Sequence, residues 1–197
     1  MPQIDASTET AVANEALSHI RVPAIVDIDA DQSNTAMVLR KHFASVRDAS
    51  IRRYPWNFAS RRAKLSKLVD APAFGFCYQY GLPTDPWCLR VLEVNECDGK
   101  DGEWKVEGRL ILTDYCSPIR VRYLARETAV ANWDAQFRTA FAFALASACA
   151  PELAKDGAIT ESMSEQAQAA FLDAFPSDAI EGAADEVPES DVLRARR

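Results

Sequence analysis

The side chains best able to do chemistry are few and scattered. Proton transfer and metal ligation fall most often to histidine, and the chain has two, His19 and His42. They lie on separate predicted helices without a second ligand at helical spacing, so each is read as a helix-surface or interface residue. The five cysteines, Cys77, Cys88, Cys97, Cys116 and Cys149, form no C-x-x-C pair. In a reducing compartment they stay thiols, in core or surface positions. Cys149 sits within Ala146-Ser147-Ala148-Cys149-Ala150-Pro151, where nothing supplies the base and polarity of a nucleophile. Asp27 with Asp29, and Asp98 with Asp101, could hold a hard cation loosely. Without EF-hand spacing they read more simply as caps or solvated turns. The GxSxG, Walker-type, GxGxxG and HExxH patterns are absent from the sequence. No active site, metal or cofactor is expected.

The remaining chemistry is electrostatic. The chain carries a formal charge of −7, which argues against a free protein that wraps nucleic acid. That average hides segregation. Residues 40–64 hold eight Lys or Arg against Asp48 alone, whereas residues 152–191 hold eleven acids against Lys155 alone. Within the basic segment, Arg52-Arg53-Tyr54-Pro55-Trp56 interleaves cations and aromatics as nucleic-acid binders do. The favoured reading is that Trp56 and Phe58 pack into a junction. The arginines then pair with acidic helices, their own or a neighbour's, and in a homo-oligomer such charges can meet head to tail. Trp87, Trp104 and Trp133 are likewise read as core or subunit-interface anchors.

These residues need a scaffold, and 197 residues with 48% hydrophobic content can build a real core. Three- and four-residue spacing predicts a helix over 7–20 capped by Ser7 or Thr8, ended near Pro23. A second helix, capped by Asp31 or Ser33, runs to about Tyr54 with Ala36, Leu39, Phe43, Val46 and Ser50 on its stripe, off which Arg40, Lys41 and Arg47 fall; Pro55 stops it. Short apolar or alternating runs at 63–69, 74–80, 88–94, 103–106, 109–112 and 119–124 predict five or six antiparallel strands. The Pro83-Thr84-Asp85 turn is expected to bond local amides through Asp85. An alanine-rich helix over 133–150 should be the most buried, and a fourth over 162–175 should end at Pro176. The small, acidic residues after Glu181 cannot supply a core of their own. The fold class is therefore α+β: a four-helix bundle-like core (1–59 and 127–181), an inserted antiparallel β subdomain (60–126) and an extended tail (182–197). No run of about 18 apolar residues offers a bilayer span, and the N-terminus lacks a signal-peptide pattern, so the chain is expected in the cytosol when made.

The junction Tyr54-Pro55-Trp56-Asn57-Phe58-Ala59 is followed by Phe74-Gly75-Phe76, by Tyr80-Gly81-Leu82-Pro83-Thr84-Asp85 leading to Leu89-Arg90-Val91, and by Val106-Glu107-Gly108. Taken in this order, the set resembles the tail tubular protein A family, the head-to-tail adaptors of short-tailed bacteriophages. The resemblance extends over about residues 14–145, with Arg21 standing where a glycine is usual. It implies a structural protein of the virion tail, a dodecameric ring bound beneath the portal and carrying a tail nozzle of the tail tubular protein B kind. Genome DNA would pass through the lumen in transient, non-specific contact, with no membrane involved. The subdomain junction would be Tyr54, Pro55, Trp56 and Phe58. The portal or subunit interface is expected at Arg40, Arg47, Arg52, Arg53, Val187, Val192, Leu193, Arg194 and Arg196. The alternative is a cytosolic nucleic-acid-binding protein using residues 40–64.

Overall fold

The computed structural model describes residues 8–99 and 102–181. Helix α1 (Glu9–His19) begins where the Thr8 hydroxyl accepts from the Ala11 amide, and α2 (Asn34–Arg53) where Ser33 does the same for Ala36. Between them, the Asn14 side chain bonds both the N–H and the C=O of Ile25 at 2.9 Å, fastening the linker to α1. The end of α1 is a Schellman motif: the Val22 N–H reaches the Leu17 carbonyl and the Arg21 N–H that of Ser18. Its left-handed position is Arg21, at φ 59°.

Six strands follow: β1 (Ser60–Leu65), β2 (Tyr78–Gly81), β3 (Cys88–Val94), β4 (Trp104–Glu107), β5 (Leu110–Thr113) and β6 (Ile119–Ala125). They form two antiparallel three-stranded sheets, ordered β1-β6-β3 and β2-β5-β4. One face of the first sheet, with Ile119, Val121 and Tyr123, shares a core with Tyr80 and Ile111 of the second. The chain then returns through a short 3₁₀ turn, Val130–Asn132, into α3 (Ala135–Leu153) and α4 (Gly157–Glu181). Among the described residues the class is mixed α+β, with four α-helices and two small sheets.

Helix α3 touches α1, α2 and α4, and its small residues explain how. Ala140, Ala142, Ala146 and Ala150 are buried, so neighbouring backbones approach closely while Phe137, Phe141 and Leu145 fill the space between. The expected second-helix stripe needs one correction: Arg47 is buried on the packed side. It lies four residues after Phe43 and three before Ser50, on their face of the helix. Three further expectations are revised. Helix α4 starts five residues early, where Asp156 accepts from the Ala158 amide, and it continues through Pro176 to Glu181. Proline removes one helical donor, but the turn beyond it is pinned from outside, because Asp178 accepts from the Asn57 amide at 2.9 Å. Strand β2 begins only at Tyr78, leaving Phe74 88% exposed in the preceding loop. Asp85 makes no hydrogen bond among the described residues. Its turn is held instead by the Cys88 N–H donating to Pro83 O and by Arg109 donating to Pro83 O and Cys88 O.

Trp56 is fully buried and joins the elements, so Trp56→Ala should lower unfolding free energy by ~3–5 kcal/mol, a large share of a domain's ~5–15. Denaturant melts read this directly, and an unchanged midpoint would refute the burial argument. Relief of the left-handed strain gives the opposite sign at the α1 cap: Arg21→Gly should stabilise by up to ~1 kcal/mol in the same assay.

Candidate functional site

The junction predicted from sequence is an aromatic cluster. The Trp56 ring meets Phe58 at 6.1 Å, Tyr54 at 5.7 Å and Phe137 at 5.0 Å between centroids, with Phe171 and Phe175 of α4 at 6.2 and 6.5 Å. Trp133 and Phe141 extend it toward Phe43 of α2. The buried indole N–H donates to Ser50 O at 3.1 Å, so the ring has no unmet polar demand. Pro55 is exposed at the helix end, while Tyr54 and Phe58 are half-buried.

The expected interface cations are largely committed within the chain. Arg40 donates to the Ile28 and Asp31 carbonyls, closing the loop before α2. Arg47 pairs with Asp48 at 3.0 Å, and Arg126 grips the other carboxylate oxygen at 2.6 Å, tying α2 to the end of β6. Arg52 donates to Leu89 O in β3. Arg53 lies 5.7 Å from the Tyr54 ring centroid and 5.5 Å from that of Phe171. Val187, Val192, Leu193, Arg194 and Arg196 lie outside the described residues. Of the other tryptophans, Trp133 is buried, and Trp104 donates to Cys97 O. Trp87 is partly exposed beneath the Arg109 guanidinium, 3.8 Å from its ring centroid.

Sequence reading missed a charged sheet face. On the side of β1-β6-β3 away from the two-sheet core, Arg62 stands opposite Arg122 and Lys64 opposite Arg120. Glu93 of β3 is in register with Arg122 and pairs with it, while Glu96 holds Arg120 at 3.1 Å. These six side chains line a cleft of about 380 Å³. The signal was available in the alternation of Arg62 with Lys64 and of Arg120 with Arg122, once the two strands are paired. Farther along the same face, Leu124 is buried in the helical core.

The reactive residue types do not converge. His19 stacks on Phe143 at 4.2 Å, and His42 contacts Glu152 at 3.0 Å beside Lys41. Hydrogen bonds from Lys41 and His42 hold the Glu152 carboxyl below its usual range. Burial, with Glu152 nearby, pushes the Cys149 thiol up to about 12, and burial also raises Cys88. Among the described residues, no group of three or more His, Cys, Asp or Glu is placed to hold a metal, and no helix is long and apolar enough to cross a membrane. No protein-family model matches the sequence, and no curated protein matches it either.

Burial orders the thiols by reactivity. Cys116 and Cys77 are exposed and should be alkylated in the native protein, whereas Cys88 and Cys149 should react only after unfolding, as peptide mass spectrometry would show. The sign for Cys149 follows: below its ordinary value of 9.0 it is protonated in both states, and as pH rises from there toward 12 only the unfolded chain loses the proton. Its contribution therefore lowers stability through that window.

Proposed function

We propose that this chain is a structural head-to-tail adaptor of a short-tailed phage, forming a ring between the portal and the tail nozzle through which genome DNA passes. In this reading the helices make a four-helix bundle-like core. Residues 60–126 are a subdomain inserted into it, and the tail from residue 182, with Val187, Val192, Leu193, Arg194 and Arg196, docks on the portal or a neighbouring subunit. The protein is not an enzyme; it holds partners at fixed geometry.

The observation that carries the reading is the junction. A ring subunit under load must keep its helical and β parts at a constant angle, and Trp56 does this by contacting α3 and α4 from the segment leading into β1. The ordered motifs that resemble those of the family run through this junction and the turn that Arg109 clamps. Commitment of Arg40, Arg47, Arg52 and Arg53 to internal partners favours a structural role over the nucleic-acid reading of residues 40–64.

Electron microscopy of the protein mixed with its portal tests the proposal. Closed rings of the chain stacked coaxially on the portal are expected. Subunits that leave the portal bare, together with salt-sensitive binding of the isolated protein to duplex DNA, would replace the adaptor with the nucleic-acid reading.

A further inference from the structure

We propose that the charged outer face of the β1-β6-β3 sheet is an assembly surface that receives the outward acidic face of α4 from a second copy of this chain. The inference deepens the ring reading and rests on it for the claim that the contact repeats around a closed axis.

The sheet face is electrostatically incomplete. Directly opposed like charges destabilise an antiparallel pair, and here two such pairs, Arg62 with Arg122 and Lys64 with Arg120, lie side by side. Glu93 and Glu96 neutralise Arg122 and Arg120, but Arg62 and Lys64 have no ion pair among the described residues and are exposed. The Arg122 Nε is buried without a hydrogen-bond partner. An incoming carboxylate at Arg62 and Lys64 would relieve the repulsion between the strands.

Helix α4 carries the complementary surface. It contains no Lys or Arg along its length. Glu161 and Glu165 are exposed and make no ion pair among the described residues, and both lie on the side opposite Met163, Ala167 and Phe171, which are buried. Leu172 continues the same stripe at 55% exposure, an apolar anchor beyond the two acids. Acids and cations are thus turned outward on different elements and stay unpaired within one molecule. Two unlike surfaces that fit each other make a heterologous contact, the kind that propagates head to tail and closes when the rotation allows. A nucleic acid suits the cleft less well. Glu93 and Glu96 stand inside it, and the net charge of −7 repels a polyanion.

Reciprocal charge reversal tests the contact. One variant carries Arg62→Glu and Lys64→Glu, the other Glu161→Lys and Glu165→Lys. Sedimentation at low salt and high protein concentration should show self-association of the wild type, its loss in either variant alone, and its return in an equimolar mixture, where each reversed surface meets its complement. The sheet variant should also melt at a higher temperature than the wild type, since each like-charge pair becomes an opposite one. Should it fail to fold, Arg62→Ala with Lys64→Ala is read in the same way, with weakened association expected. Wild-type behaviour in either folded variant, a mixture that stays dissociated, or a wild type that remains monomeric would overturn the proposal. So would DNA binding that is lost in the sheet variant without any pairing between the variants. Wild-type rings on the portal that form equally well from both variants would overturn this contact and leave the adaptor reading standing. Absence of wild-type rings on the portal, with pairing of the two variants intact, would remove the adaptor reading and keep the contact.

Discussion

Burial of the Trp56 indole is the interaction on which the rest of the molecule depends. The ring leaves water entirely, donates its one N–H to the last turns of α2, and meets aromatic rings from α3 and α4. Aromatic side chains bury large areas with few rotatable bonds, so a cluster of this kind fixes position as well as adding stability. Pro55 ends α2 one residue earlier, and Asn57 binds Asp178 one residue later. The five residues from Tyr54 to Phe58 therefore convert a helix into a strand while gripping α4.

The second constraint is ionic. Asp48 receives Arg47 from its own helix and Arg126 from the end of β6, so one carboxylate couples the helical and sheet regions across the junction. Arg47 is buried, and removing Asp48 would leave it without its ion-pair partner, the circumstance in which a single lost partner is most damaging. The clustering of positive charge in residues 40–64 thus has an internal explanation for most of its members. What remains for an outside partner is the smaller set on the sheet.

Much of this was legible because periodicity and punctuation are local. Thr8 and Ser33 were each one of two cap candidates, Pro55 read as a stop, and the run at 88–94 as a strand whose bounds coincide with those of β3. The misreadings have a common origin in contacts distant in sequence. Pro176 looked like a helix end because Asn57, which pins Asp178 in the turn beyond it, is 121 residues away, and Arg47 looked peripheral because the Asp48 carboxylate it pairs with is anchored by the distant Arg126 only in the folded chain. The sheet face escaped notice for the same reason, since Arg62 and Arg122 become neighbours only through the pairing of β1 with β6.

That pairing has a consequence for how the chain finds its fold. Along one face of β6, Leu124 enters the helical core while Arg122 and Arg120 remain in the solvent-facing cleft. A slip of one residue would turn the whole strand over and expose Ile119, Val121 and Tyr123. A slip of two would keep the correct face but drive the Arg122 guanidinium into the space Leu124 fills, with its charge stripped of water and of Glu93. Both errors are penalised, by different forces, so β6 has a single acceptable alignment, and the strand carries its own proofreading against misthreaded intermediates.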